Sequence, residues 1–366
     1  MVKQKINMAE YILMKGNEAI AISAIRNGCD GYFGYPITPQ SEVMETLMAE
    51  EPWDSTGMVV LQAESETSSI NMLYGGASCG KRVMTSSSSP GISLMAEGLS
   101  YLAGAELPCL VVNVVRGGPG LGTIQPGQGD YFQACKGGGH GDYKMIVLAP
   151  NSAQEMYDFV DLGFELAFKY RNPALILSDG VIGQMMEKVE LRPMKPRWTE
   201  EEIIKMSPWA TTGKTPDRKQ NVLTSLALDA AVHEALNHRL IEKYKQMEEE
   251  DVRFENYLCE DADHLIVAYG SMARVCENTV DLARKEGIKL GLLRPITLFP
   301  YPTKEIQRLV PQLKTIMSVE LSAGQMVEDI RLAVNGKIPV NFYGRLGGIV
   351  PSPEEVLEAF KKEINK

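Results

Sequence analysis

Three short segments combine residue types that can do chemistry. Gln62-Ala-Glu-Ser-Glu66 places two carboxyls between an apolar run and a stretch of small residues. Acids at a helix N-terminus are stabilised by the helix dipole, so ordinary capping accounts for one reading of them. A carboxyl buried at such a junction has its charged form disfavoured and becomes a proton donor. Arg116 ends the apolar run Leu107–Val115. A guanidinium there suits an anionic substrate, because it holds a carboxylate through two hydrogen bonds. In Tyr35-Pro-Ile-Thr-Pro39, two prolines bracket Thr38. The stiff backbone fixes the Thr38 hydroxyl at little entropic cost, although an isolated motif of this kind also reads as a turn with a helix cap.

Other chemistries are poorly supported. Gly117-Gly-Pro-Gly-Leu-Gly122 follows a strand, but Thr123 stands where G-x-G-x-x-G requires glycine. Gly137-Gly-Gly-His-Gly141 lacks the G-K-[ST] ending of a phosphate loop. His140 within it has no partner visible in sequence and reads as structural or solvent-facing. The six cysteines, at 29, 79, 109, 135, 259 and 276, form no C-x-x-C, so no iron–sulfur or zinc site is legible. Four scattered histidines argue against a His-based metal site. The formal charge of −10 argues against a nucleic-acid partner. Free thiols suggest a reducing, cytoplasmic compartment, and no apolar run approaches a membrane span.

The elements that must position these residues alternate. Helical patterns at 15–27, 40–50, 65–78 and 152–170 interleave with short apolar strands at Gly31–Tyr35, Val59–Leu61, Arg82–Thr85, Leu107–Val115, Met145–Ala149 and Ala174–Ser178. Ser89-Pro90 opens a further helix, with serine as its expected cap. Alternation at this spacing predicts a parallel sheet with helices on both faces. Thr38, Glu66 and Arg116 then fall at the carboxyl ends of strands, where α/β folds bind ligands. The pattern breaks near 190. Residues 190–258 show prolines, charge runs and a polar helix but no strand signal, and read as a surface insertion. A second, smaller α/β series begins at His264. With 366 residues, the expected division is 1–189, 190–258 and 259–366.

The ordered set YPITP, acidic strand–helix junction, TSSSSPG, NVVRGGPG and GDY resembles the alpha subunit of 2-oxoacid:ferredoxin oxidoreductases, and most closely the branched-chain (3-methyl-2-oxobutanoate) type. Leu292-Leu-Arg-Pro-Ile-Thr-Leu-Phe-Pro300 resembles the transketolase-like C-terminal domain of the same family. The resemblance implies a pyrimidine-binding thiamine diphosphate domain in the first part. It implies that Glu66, nine residues before Gly75, activates the cofactor by hydrogen-bonding its pyrimidine ring. Tyr35, Pro36, Ile37 and Ser89 would also contact the cofactor, and Thr38 and Arg116 the substrate carboxylate. The G-D-G…N motif for diphosphate and magnesium is absent, Ser178-Asp-Gly180 being the nearest approach. The resemblance therefore implies half an active site. A beta subunit would hold the diphosphate and Mg2+, gamma and ferredoxin-like delta subunits with [4Fe-4S] clusters would complete the assembly, coenzyme A would take the acyl group, and ferredoxin the electrons. Pyruvate and 2-oxoglutarate stay open as substrates. A beta-type subunit of an NAD-linked dehydrogenase is opposed by YPITP and NVVRGGPG. A non-catalytic scaffold would need none of Thr38, Glu66 and Arg116 together.

Overall fold

The structure, a computed structural model, describes residues 10–214, 216 and 218–365. Its first strands are β1 (Glu10–Lys15), β2 (Gly31–Gly34), β3 (Val59–Gln62), β4 (Val83–Ser87), β5 (Cys109–Val115), β6 (Ile146–Leu148), β7 (Pro173–Asp179) and β8 (Met186–Leu191). The rest are β9 (Phe254–Tyr257), β10 (His264–Val267), β11 (Leu290–Pro295), β12 (Thr297–Phe299), β13 (Thr315–Glu320) and β14 (Val340–Gly344).

The larger sheet runs β12-β6-β7-β5-β4-β2-β3 and is parallel except for β12, which is antiparallel to β6. Every residue of β5 is buried, as its unbroken Leu/Val pattern requires of a strand covered on both faces. The chain leaves β2 toward β3 but leaves β4 toward β5. The direction of winding thus reverses between β2 and β4, which opens a crevice at their carboxyl ends.

The helices over this sheet start where their caps dictate. Ser65 accepts from the Ser68 N–H (3.3 Å) and begins the helix Glu66–Ser78. Ser152 accepts from the Glu155 N–H (3.1 Å) and begins Ala153–Tyr170. Ser89 departs from expectation. It occupies the cap position before Pro90, yet its hydroxyl makes no capping bond and pairs with the Arg116 backbone instead.

The second sheet, β14-β13-β10-β11-β9, is parallel except for β9. Here the strand pattern corrects the sequence reading. β9 lies in the segment expected to hold no strand, and β1 precedes the first expected one. β1 pairs antiparallel with β8, from Glu10↔Leu191 to Lys15↔Met186. β9 lacks an apolar run, and β1 has one in Tyr11–Met14 but exposes all of it except Met14, so neither has the setting of a buried strand. The second unit is also less separate than expected. β12 crosses into the first sheet, and one core cluster runs from Val147 and Leu148 on to Tyr269, Leu293 and Met326. The polar helix Ala230–Glu250 lies on the surface but buries Leu240, Tyr244 and Met247. Among the described residues no helix is long and apolar enough to cross a membrane.

Candidate functional site

The carboxyl ends of β5, β4, β2 and β3 stand side by side and deliver Arg116, Ser87–Ser89, Thr38 and Glu66 to one edge. Glu66 is the first residue of its helix and is only 6% exposed. Its carboxyl makes no hydrogen bond among the described residues. Gly91 lets the helix Pro90–Gly104 close on it: a Cβ there would fall 2.7 Å from Glu66 Oε1 and closer still to Ser87 Oγ. Glu64 is exposed and accepts only a 3.4 Å bond from Ser68. Burial thus separates two carboxyls that lie two residues apart.

Arg116 is 7% exposed. Its Nη1 donates to the Thr38 carbonyl (3.0 Å), its Nη2 to the Leu121 carbonyl (3.1 Å), and its backbone N–H to Ser89 Oγ (3.1 Å). A guanidinium carries five N–H donors, so these two side-chain bonds leave capacity for a ligand. Nε is buried without a partner. The structure therefore brings Arg116 and Thr38 together, but through the threonine carbonyl. The Thr38 side chain is exposed. In the same loop Pro36 is exposed, and Tyr35 and Ile37 are half-buried. The Tyr35 carbonyl accepts from Gln40 (3.3 Å), which in turn accepts from Ser86 (2.5 Å), itself paired with the Tyr32 hydroxyl (2.7 Å). Burial pushes that hydroxyl up to about 12.

Two supporting clusters escaped the sequence reading. In one, Asn17 and Gln184 both donate to the Pro39 carbonyl (2.7 and 3.1 Å) and to Glu42 (2.9 and 2.7 Å). Lys15 bridges Glu42 and Gln184 at 3.0 Å each. Burial raises the Glu42 carboxyl, but the bonds from Gln184, Lys15 and Asn17 outweigh it and hold the group below its ordinary 4.5. In the other, Ser89 adopts φ +21° and donates its N–H to Asn113 Oδ1 (3.1 Å), while Asn113 Nδ2 donates to Asp130 (2.9 Å). Burial pushes Asp130 upward. One signal was available: Asn113 interrupts Leu110–Val115, and an amide in a strand buried on both faces needs a partner. The hydroxyls of Thr85, Ser87 and Ser88, beside this cluster, are buried and unpartnered.

Asp179, in the segment nearest to a diphosphate motif, is committed elsewhere. It caps the short helix Gly180–Gln184 and accepts from the Ser271 hydroxyl (2.6 Å). Among the described residues no group of three or more His, Cys, Asp or Glu side chains is arranged for a metal ion. A cavity of about 740 Å³ lies between the helix Ala230–Glu250 and the second unit, against Phe254, Phe299 and Tyr301.

Fold and site together define a class: a two-unit α/β subunit that offers a buried, unpartnered carboxyl and an anchored guanidinium at an open sheet edge. Residues 22–251 match the family described as pyruvate flavodoxin/ferredoxin oxidoreductase, thiamine diphosphate-binding. Residues 262–356 match pyruvate:ferredoxin oxidoreductase core domain II. The chain is 49% identical over 353 residues to the ketoisovalerate oxidoreductase subunit VorB of Methanothermobacter thermautotrophicus, covering 96% of this chain and 97% of the relative. It is 34% identical to the 2-oxoglutarate synthase subunit KorA of Methanocaldococcus jannaschii, covering 94% and 98%. The solved 2-oxoglutarate:ferredoxin oxidoreductase from Magnetococcus marinus, with 2-oxoglutarate, coenzyme A and succinyl-CoA bound, superposes with a TM-score of 0.83 at 28% identity. That match covers 97% of this chain and 66% of the other, so the chain spans about two thirds of that protein. A split-gene transketolase shares the fold alone, with a TM-score of 0.54 at 12% identity over 94% of this chain and 91% of that one. The chain belongs to the 2-oxoacid:ferredoxin oxidoreductase family, as one of its thiamine diphosphate-binding subunits.

Proposed function

We propose that this chain holds the pyrimidine side of thiamine diphosphate in an enzyme that oxidatively decarboxylates branched 2-oxoacids, such as ketoisovalerate, to acyl-coenzyme A with reduction of ferredoxin. One observation carries the reading: Glu66 is buried and unpartnered, with the helix Pro90–Gly104 packed so closely on it that only glycine fits at 91. A buried polar group without a partner costs about 1–3 kcal/mol, which a ligand nitrogen would offset. The buried, unpartnered hydroxyls of Thr85, Ser87 and Ser88 fit the same polar ligand. Bound thiamine diphosphate supplies the nucleophilic carbon that adds to the 2-oxo group and stores the electrons left when carbon dioxide departs.

Glu66 hydrogen-bonds the pyrimidine ring nitrogen and holds a proton there. Tyr35, Pro36, Ile37 and Ser89 flank the ring. The Thr38 hydroxyl and the free Arg116 donors orient the substrate carboxylate. That grip must stay moderate, because the carboxylate leaves as neutral carbon dioxide. A beta subunit holds the diphosphate and Mg2+ against this edge, and gamma and ferredoxin-like delta subunits carry [4Fe-4S] clusters from which electrons pass to ferredoxin. The open edge and the relatives' description as subunits support such an assembly. The cysteines are all free, which supports a reducing, cytoplasmic setting. The 49% identity to a ketoisovalerate oxidoreductase subunit, against 34% to a 2-oxoglutarate synthase subunit, supports the branched substrate.

The test is a substrate panel with the reconstituted complex, coenzyme A and a low-potential dye. Ketoisovalerate should give the highest kcat/KM. A clear preference for 2-oxoglutarate or pyruvate would overturn the substrate assignment, and NAD reduction in place of dye reduction would overturn the ferredoxin link.

A further inference from the structure

The loop that follows Arg116 is built more firmly than its glycine content suggests. The Gly117 N–H donates to the Gln125 carbonyl (2.9 Å), and the Thr123 N–H to the Gly117 carbonyl (2.8 Å). The Gln125 N–H donates to Thr123 Oγ1 (3.2 Å), and Arg116 forms a β-bridge with Pro126. Gly122 sits at φ +61°, and any Cβ there would collide with the Gly117 carbonyl. A loop pinned in this way holds its backbone in one place. Even so, it exposes Leu121 at 85% and Ile124 at 57%. Two large apolar side chains held in water on a rigid loop call for an apolar ligand or neighbour.

Their position says which. The Leu121 carbonyl is itself the acceptor for Arg116 Nη2, at 3.1 Å. In a 2-oxoacid the side chain begins two C–C bonds, each about 1.5 Å, from the carboxylate carbon. A carboxylate held by Arg116 therefore brings its tail within reach of Leu121. Charge narrows the choice further. Residues 117–129 contain no charged side chain. A second loop packs against the first where Gly348 meets Gln125, and it exposes Leu346 and Ile349. The cation of that loop, Arg345, is paired with Glu355 at 2.7 Å. A second carboxylate on the substrate would meet no free cation on either loop, and burying it unpaired is costly.

We propose that Leu121 and Ile124 form the wall of the acyl pocket and select an apolar, branched 2-oxoacid tail over a carboxylated one. This rests on Arg116 holding the substrate carboxylate, as proposed above. The test compares kcat/KM for ketoisovalerate, pyruvate and 2-oxoglutarate in the reconstituted complex, using ratios so that partial loss of assembly cancels. Leu121→Ala and Ile124→Ala should each lower the ketoisovalerate-to-pyruvate ratio by about tenfold, the size expected when apolar contacts to a branched tail are lost. Leu121→Arg should raise the 2-oxoglutarate-to-ketoisovalerate ratio. Should an alanine variant fail to assemble, Leu121→Val and Ile124→Val should move the first ratio in the same direction by a smaller amount. A wild-type complex that turns over ketoisovalerate while the variants leave both ratios unmoved would sink the wall and spare the functional reading. Unmoved ratios with weakened binding of the beta subunit would do the same and mark the loop as a docking surface. A wild-type complex inert toward ketoisovalerate would sink both.

Discussion

Glu66 and Glu64 show how much two positions across a helix cap decide. Glu64 precedes the cap, stays in solvent and has water to stabilise its charge. Glu66 follows the cap, is covered by the helix Pro90–Gly104 and has no partner of its own. Only the second can exchange a hydrogen bond with a ligand in a site that excludes water. Glu66→Gln keeps the size but removes the acid. It should lower kcat by about 10² or more, the usual scale for a positioned proton-transfer group, while the complex still assembles by gel filtration. Glu64→Gln should leave kcat within about twofold on the same scale. Comparable losses in both variants would detach the role from Glu66. Arg116 is expected to act twice, because the guanidinium that offers donors to a substrate also ties down Thr38 and Leu121 through their carbonyls. Arg116→Lys retains charge but lacks the fork that reaches two carbonyls. It should raise KM for the 2-oxoacid and also lower kcat, with kcat/KM falling about 10–100-fold, the range for a lost hydrogen bond to a charged group. A change confined to KM would mean that Thr38 is held without it.

At the scale of elements, the loop after β2 owes its place to groups far away in the chain. Asn17 from the first helix, Glu42 from the second and Gln184 from a helix after β7 converge on the Pro39 carbonyl and on one another. Because the Glu42 carboxyl is held below 4.5 in the folded chain, its stabilisation is complete above that value and is lost as pH falls through the lowered one. The Tm of the chain should therefore drop more steeply below pH 4.5 than that of Glu42→Gln, with the two curves converging in acid. Parallel curves would show that the charge on Glu42 does not support the loop. This cluster also explains where sequence reading stopped. Residues 17, 42 and 184 each pass for the polar face of a helix, and nothing local links them. Arg116 is legible because a charged residue at the end of an apolar strand is conspicuous, whereas Glu66 is told from Glu64 only by the resemblance, through its nine-residue spacing to Gly75. The relation of Arg116 to Thr38 is not legible: the resemblance implies two groups on a substrate carboxylate, whereas two of the five Arg116 N–H donors go to backbone carbonyls, one of them that of Thr38. The strands divide in the same way. β5 is legible from its run of Leu and Val, but β1, β9 and β12 are three to six residues long and gain stability from partners distant in sequence, such as Leu191 for Glu10 and Leu148 for Thr297. Ser89 was legible as a cap position and deceptive as a cap, because Arg116 competes for its hydroxyl.

At the scale of the molecule, the two units are locked into one body along a seam beside the site. Gln128, buried in the loop between Arg116 and the second unit, donates to the Tyr269 carbonyl (2.9 Å) and accepts from the Leu321 N–H (2.9 Å). Arg294, 3% exposed, donates with both terminal nitrogens to Glu155 (2.7 and 2.6 Å). Glu155 is 20% exposed and also accepts from the Asn151 N–H (2.8 Å), so removing Arg294 only partly strands it. Arg294→Ala should therefore destabilise the chain by about 1–3 kcal/mol in urea unfolding, and Arg294→Met with Glu155→Gln should recover part of the loss. A rigid seam fixes one wall of a catalytic site, yet one wall is not a site. Thr38 and Leu121 face solvent, and the edge strand β3 exposes Val59 and Leu61. In open water a charge–charge interaction at 4 Å is worth about 1 kcal/mol, and it strengthens severalfold only once water is excluded. The chain by itself, given thiamine diphosphate, Mg2+, coenzyme A and ketoisovalerate, should thus show no dye reduction, and addition of the beta subunit should be what restores decarboxylation. Carbon dioxide release assayed separately from dye reduction would divide the two requirements, because in the proposed assembly closing the site would need only the facing wall whereas electron exit would need the iron–sulfur subunits. Carbon dioxide release from this chain alone would mean that its own loops close over Glu66, and the half-site would have to be abandoned.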